Sequence, residues 1–220
     1  MNKVALITGT SHGIGKETAK MFLKFGIEVI GLDLYECPEE LSNEELYRHY
    51  ICDISDPSQL PYIQENISWI VNNAGTDKPD KAIQVNLMSL FHIEDKYVDE
   101  STQCVVNICS ASAHYGIEGR EYVASTGGIL SYTKQLAKRM AAWGGRCVSI
   151  SPGPVITDMT NGIADDEEKY KQVADQNLLK RWISPKEIAF AIHFMCVCEC
   201  VTGIDLLMDC GEHINQTEIV

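Results

Sequence analysis

Long apolar runs are missing from this 220-residue chain. No stretch reaches the roughly 18 uninterrupted apolar residues that a membrane span requires, so no membrane role is expected. The opening run Val4-Ala5-Leu6-Ile7 is too short for a secretory leader and leads straight into a glycine loop, which makes the cytoplasm the expected compartment. Positive charge is also scarce: 18 Lys and Arg stand against 31 Asp and Glu, a formal charge of −13. Such a surface repels phosphate backbones and anionic lipid, which sets aside nucleic acid except at a local patch and favours a small-molecule role. Repeats, low-complexity tracts and linker-like stretches are absent too, so one domain is expected over residues 1–220. A second Cys/His pair is lacking near Cys196-Val197-Cys198-Glu199-Cys200, and tetrahedral zinc needs four ligands, so no metal site is expected there.

What is present reads as an ordinary folded protein, with 45% apolar and 22% charged residues. The nine cysteines are odd in number, and Cys52, Cys104, Cys109 and Cys147 sit inside apolar runs, the pattern of reduced, core-filling thiols. Short β-rich runs alternate with helical patterns, which points to βαβ units. Strands are expected over residues 4–7, 28–33, 50–52, 68–72, 103–109, 146–150 and 204–208. Helices are expected over 15–25, over 122–142 with Ile129, Leu130, Thr133, Leu136, Ala137 and Met140 on one face, and over 185–197 with Ser184 as its N-cap. Right-handed crossovers then give an α/β fold of three layers: a doubly wound, parallel seven-stranded sheet of Rossmann type with helices on both faces. Residues 158–183, less regular and acidic, are expected to form a lid over the substrate.

Thr8-Gly9-Thr10-Ser11-His12-Gly13-Ile14-Gly15 stands between the first strand and the first helix. Glycines there permit a tight turn, let backbone approach a pyrophosphate and pack helix on strand, while the helix N-terminus offers free N–H groups to phosphate. Asp33 ends the second strand, about 20 residues beyond the loop, where a carboxylate accepts hydrogen bonds from an adenosine ribose. It would repel a 2′-phosphate, and no Arg or Lys lies in the loop or directly after Asp33 to offset that. NAD(H) is therefore expected over NADP(H). The competing reading of Asp33 is an acid that merely opens a solvated loop.

The three residues between Gly9 and Gly13, and a series of further elements in fixed order, resemble the short-chain dehydrogenase/reductase family over residues 4–211. Asp53 resembles the acid that contacts adenine, and Asn72-Asn73-Ala74-Gly75 the element lining the cofactor cleft. Val85-Asn86-Leu87 is similar to the segment whose asparagine helps to hold a water in a proton relay. Asn107-Ile108-Cys109-Ser110 resembles the run ending in the catalytic serine. Pro152-Gly153-Pro154-Val155 with Thr157 resembles the loop that binds the nicotinamide carboxamide. The resemblance implies an NAD-dependent oxidoreductase acting between alcohol and carbonyl, and a homodimer or homotetramer through the 122–142 helix. Residues 53–70 and 75–86 are each shorter than is usual, so one crossover helix is expected to be trimmed, and the helix before Asn86 to be little more than a turn.

The family's Tyr-x-x-x-Lys pair appears here as Tyr122-Val123-Ala124-Ser125-Thr126. The tyrosine stands 12 residues after Ser110; the lysine position holds Thr126. In the family that lysine lowers the phenol pKa and hydrogen-bonds the nicotinamide ribose. A free tyrosine, with pKa near 10, is only about 0.1% phenolate at pH 7. Lys134, eight residues beyond Thr126, is displaced by roughly 12 Å along a helix. Two readings stay open: an oxidoreductase of reduced activity, with Tyr122 as acid/base, Ser110 polarising the substrate and Asn86 anchoring the relay, or a non-catalytic NAD(H)-binding sensor or assembly partner.

Overall fold

A computed structural model describes residues 3–215; Met1, Asn2 and residues 216–220 lie outside the described range, and with them the outer limits expected for the domain. Seven strands form one sheet: β1 (Val4–Thr8), β2 (Glu28–Asp33), β3 (Tyr47–Ile51), β4 (Trp69–Asn72), β5 (Cys104–Ile108), β6 (Arg146–Pro152) and β7 (Asp205–Met208). Their spatial order is β3-β2-β1-β4-β5-β6-β7, and every neighbouring pair is parallel. The central strands are buried on both faces, which is why they read as unbroken apolar runs in the sequence.

The helices are α1 (Gly13–Lys24), α2 (Ser89–Tyr97), α3 (Ser112–Tyr115), α4 (Arg120–Met140), α5 (Asn161–Ala164), α6 (Glu167–Ala174), α7 (Pro185–Val197) and α8 (Glu212–Asn215). The period-2 alternation of the strands sorts the core into two layers. Ala5, Ile7, Val106, Val148 and Ile150 pack with Phe22 of α1 and Ile188 and Ile192 of α7. On the other side Leu6, Ile70, Val105 and Cys147 pack with Leu90 and Ile93 of α2 and Ile129, Leu136 and Met140 of α4. Each fully buried Leu or Ile contributes roughly 1.5–3 kcal/mol. Strand order reverses between β1 and β4, the place where a parallel sheet opens a crevice at its carboxyl ends.

Departures from the expected elements have local causes. β3 begins at Tyr47 rather than at residue 50: it is an edge strand whose Arg48 pairs with Glu28 and Glu65, so no apolar run announces its start. α7 keeps its expected bounds because Ser184 and Glu187 form a reciprocal capping box and Pro185 fills the first turn. The crossover from β3 to β4 is trimmed as expected, to a single 3-10 turn (Pro57–Gln59) capped by the Asp56 carboxylate. Asn86 sits in a six-residue π-helical turn (Ile83–Met88) that runs on into α2. Residues 158–183 are more helical than expected, holding α5 and α6, and the Asp166 carboxylate caps α6. The exposed face of α4 carries Ser131, Lys134, Gln135, Lys138 and Arg139, so its apolar residues are used within the chain. Exposed apolar side chains gather instead on α7, at Phe190, Phe194 and Val197.

Candidate active site

A cleft of about 1240 Å³ opens at the carboxyl ends of β1, β2, β4, β5 and β6, and it gathers nearly all the site residues expected from sequence. Its floor is the loop from β1 to α1. Gly9 and Gly13 adopt φ of +77° and +51°, a left-handed backbone that side chains disfavour. A Cβ on Gly15 would lie 2.0 Å from the Gly9 carbonyl oxygen, and one on Gly13 3.2 Å from the Thr157 methyl. Glycine at these positions thus clears a cradle at the N-terminus of α1, a helix with no acid in its first turn, which fits a pyrophosphate.

Thr8 and Asn73 brace this loop from below. The Asn73 and Ala74 N–H groups donate to the Thr8 hydroxyl at 2.9 and 3.0 Å, and the Asn73 carboxamide donates to the carbonyls of Thr8 and Gly9. The Ser11 hydroxyl bonds the Glu36 carbonyl, and its N–H donates to Asp33 at 2.8 Å. Asp33 also receives the Tyr35 N–H at 3.0 Å on its other oxygen, so each oxygen keeps lone-pair capacity toward the cleft. Lys16, the cation closest in sequence to the loop, is paired with Glu40. Asp53 lines the same end, its carboxylate taken by the Ser55 N–H and hydroxyl. Ile14 lines the loop and Gly75 the β4 side, while Pro152, Gly153, Val155 and Thr157 form the opposite wall. That wall is pinned by Gly153 N–H to Met208 and by the Ile183 N–H to the Pro154 carbonyl. His12 lies 3.9 Å from Asp158, where the acidic segment begins, and Met159, Ile163, Val173, Gln176 and Trp182 extend that segment over the cleft.

The residues expected to react, Ser110 and Tyr122, lie in the same cleft. Ser110 follows β5, and its hydroxyl accepts the Ser112 N–H at 3.1 Å. Tyr122 lies in the first turn of α4, with its phenol facing the Ser110 hydroxyl. Burial pushes the phenol pKa up to about 12; the Ser110 hydroxyl works against this, while the Glu118 and Asp77 carboxylates reinforce it. Thr126, one turn on, is 2% exposed. Its hydroxyl donates back to the Tyr122 and Val123 carbonyls at 3.0 and 3.2 Å, the usual habit of threonine in a helix. Asn86 is likewise committed to the chain: its amide donates to the Thr76 carbonyl and the Ser125 hydroxyl, and its oxygen accepts the Thr76 N–H, leaving one acceptor position. Beneath the site a buried chain of Asn72, Asn107 and Thr133 side chains ties β4, β5 and α4 together.

Sequence reasoning gave no sign of the carboxylates gathered near Tyr115, which itself lines the cleft. The Tyr115 hydroxyl donates to the Asp209 carboxylate, which also accepts from the Gly211 N–H and from the His213 N–H at 2.8 Å. Burial alone would raise the Asp209 pKa, but these donors together hold it down at about 2. Glu118 and Glu212 line the same end. His114 lies outside the cleft lining, with its ring bonded to the Asp205 carboxylate at 2.8 Å. Of the C-terminal thiols, Cys196 is buried against Cys104, and Cys198 and Cys200 lie 3.7 Å apart. No cluster of three metal-ligating side chains occurs among the described residues.

A parallel sheet with a glycine loop at its switch point, facing a serine and a tyrosine across one cleft, is the arrangement of a nucleotide-dependent oxidoreductase. The family model described as Enoyl-(Acyl carrier protein) reductase matches residues 9–213. The chain belongs to the short-chain dehydrogenase/reductase family of oxidoreductases. It is 30% identical to the 3-oxoacyl-(acyl-carrier-protein) reductase FabG of Thermotoga maritima, covering 95% of this chain and 97% of that one. Protein FixR of Bradyrhizobium diazoefficiens is 29% identical, over 96% of this chain and 87% of that one. Among solved structures, the ligand-free aldohexose dehydrogenase of Thermoplasma acidophilum superposes with a TM-score of 0.86 at 25% identity, over 100% of this chain and 96% of that one. A 4-hydroxyisoleucine dehydrogenase complexed with NADH shares the fold, with a TM-score of 0.86 at 24% identity, over 97% and 99% of the two chains.

Proposed function

We propose that this protein is a cytoplasmic, single-domain oxidoreductase that interconverts an alcohol and a carbonyl on a small molecule, uses NAD(H) in preference to NADP(H), and works at a reduced rate because Thr126 stands at the lysine position. The observation that carries the reading is the Ser110–Tyr122 hydroxyl pair facing the glycine cradle across one cleft. Bound there, the nicotinamide would supply or accept the hydride. Ser110 orients the substrate oxygen by hydrogen bonding. Tyr122, protonated at neutral pH, gives its proton to that oxygen in the reducing direction, where a neutral phenol is the form required. Oxidation needs the phenolate, which is scarce at pH 7. Asn86 fixes the loop after β4 against α4 and keeps one acceptor position for a relay water. Asp33 selects the unphosphorylated ribose, and no resolved ion pair delivers a cation to it.

Residues 158–183 act as a lid, with the contact between His12 and Asp158 at its hinge side. The assembly is a homodimer or homotetramer, and the exposed Phe190, Phe194 and Val197 of α7 supply the apolar surface for it. One observation favours the second reading, a non-catalytic NAD(H) sensor: the carboxylates acting on Tyr122 all hold its proton in place. Calorimetric titration with NADH and, separately, NADPH tests both readings. Tight NADH binding with weak NADPH binding is the expected result; binding of neither would overturn the oxidoreductase and the sensor together. Turnover of a panel of small ketones by the NADH-loaded protein then separates the two.

A further inference from the structure

The substrate end of the cleft is lined by carboxylates that have no cation. Glu212, on α8, is 5% exposed and lines the cleft. Among the described residues, no hydrogen-bond donor and no cation meets its carboxylate, and the residues outside that range contain neither Lys nor Arg. Burial raises its pKa, and the neighbouring Asp209 and Glu118 charges raise it further. Glu118, four residues before Tyr122 and more exposed than Glu212, also lacks a cation: desolvation and Asp77 raise its pKa, and only the Ser112 hydroxyl opposes them. The lysines that line the cleft, Lys78 and Lys81, are not among the groups acting on either glutamate.

Desolvating a carboxylate without a partner is costly, and two of them converging on one space repel each other. Asp209 shows what this chain does when a buried carboxylate serves the fold: it surrounds the acid with Tyr115, Gly211 and His213 donors. Glu212, three residues along, receives none, and it lines the cleft that also holds Glu118 and Tyr122. An ammonium group carries three donors and a charge of the right sign, and it would relieve both glutamates at once. A keto acid would add a third anion to the same space.

We infer that Glu212 and Glu118 hold a substrate ammonium group, so that the carbonyl compound reduced at Tyr122 is an amino ketone and its product an amino alcohol. The inference rests on the oxidoreductase reading and names its substrate class. Three probes of similar size test it with the NADH-loaded protein at pH 7: aminoacetone as the cation, hydroxyacetone as the neutral form and pyruvate as the anion. The expected kcat/KM for aminoacetone exceeds that for hydroxyacetone by roughly 10–100-fold, the discrimination of a charge-assisted hydrogen bond, and pyruvate is the poorest. Glu212→Gln, which keeps shape and removes charge, is expected to bring the ratio of the first two probes to within about threefold. Glu118→Gln serves as the second variant, on an exposed loop where folding is not at stake. Parity between the probes, or preference for pyruvate, overturns the inference. If no probe is reduced, the oxidoreductase reading is what fails, and calorimetry with 1-amino-2-propanol against 1,2-propanediol decides the inference by itself. Binding of the amine alone, lost in Glu212→Gln, upholds it; no binding, or equal binding of both, overturns it.

Discussion

Replacing Thr126 by lysine puts a single charge where the site has none, and its effect can be worked from the phenol it would face. With a pKa of about 12, Tyr122 is about 10⁻⁵ phenolate at pH 7. An ammonium within about 4–6 Å lowers such a pKa by roughly 1–3 units. The phenolate population at pH 7 then rises roughly 10–1000-fold, and alcohol oxidation, which needs a base, rises with it. The substitution has room to act: Thr126 lines the cleft, so the lysine stem can run out of the helix flank toward Tyr122. It gives up two back-bonds from a buried hydroxyl, a loss of about 1 kcal/mol that a melting curve would register. The assay is the pH profile of NAD⁺ reduction by an amino alcohol and by its hydroxyl analogue from pH 6 to 10.5, alongside NADH titration. The rising limb should move toward lower pH by the same 1–3 units. A profile unchanged in Thr126→Lys, with NADH binding intact and the melting temperature lowered by no more than that loss, would refute the assignment of Tyr122 as the acid/base.

Tyr122→Phe should retain NADH affinity, measured by fluorescence titration, and lose roughly 10²–10⁴ in turnover; full activity would move the proton donor elsewhere. Gly15→Ala should abolish NADH binding and lower stability by about 1–3 kcal/mol or more, because its Cβ would lie 2.0 Å from a backbone oxygen that cannot move without the loop. Asp209 is depressed in the folded state, from 3.8 to about 2, so its contribution is present above pH ~4 and is lost as pH falls through about 2. That contribution is about 2 kcal/mol. Urea unfolding of Asp209→Asn should show lower stability at pH 7 and a shallower decline between pH 4 and 2; an identical acid limb in both proteins would exclude this carboxylate as its source.

The fold and the glycine loop at the head of the cleft were legible because they rest on local signals. Buried parallel strands read as apolar runs, Gly9, Gly13 and Gly15 mark a backbone no other residue fits, and Ser184 with Pro185 announces a helix. Edge strand β3 was half-missed, since an edge needs only Tyr47 inside and leaves Arg48 free to be polar. The π-helical turn at Asn86 left no mark in the sequence that could be told from an ordinary helix. The substrate half was out of reach for another reason. Glu118 and Glu212 are 94 residues apart and become neighbours only when α8 folds back beside the loop before α4. In the sequence no motif or spacing links the two.

On the proposed reading, Thr126 at the lysine position and the two glutamates without a cation have one feature in common: the end of the cleft at Tyr122 is short of positive charge. In relatives of the Tyr-x-x-x-Lys type the enzyme brings that charge itself. Here a substrate ammonium held between Glu118 and Glu212 would bring it, since Glu118 is also the carboxylate acting most strongly on Tyr122. Neutralising Glu118 would remove the charge that now holds the phenol proton. The two ideas therefore predict an interaction rather than two independent effects. With a neutral alcohol, Thr126→Lys should give its full enhancement of oxidation. With an amino alcohol the charge already arrives with the substrate, and the new lysine repels it. Two unit charges about 6 Å apart at an effective dielectric constant near 20 oppose one another by about 3 kcal/mol, ample to offset a gain of one to two pKa units. The enhancement should be at least about tenfold smaller for 1-amino-2-propanol than for 1,2-propanediol. Equal enhancement for both would mean that the ammonium and the lysine do not share a site, and that the acidity around Tyr122 has nothing to do with the substrate.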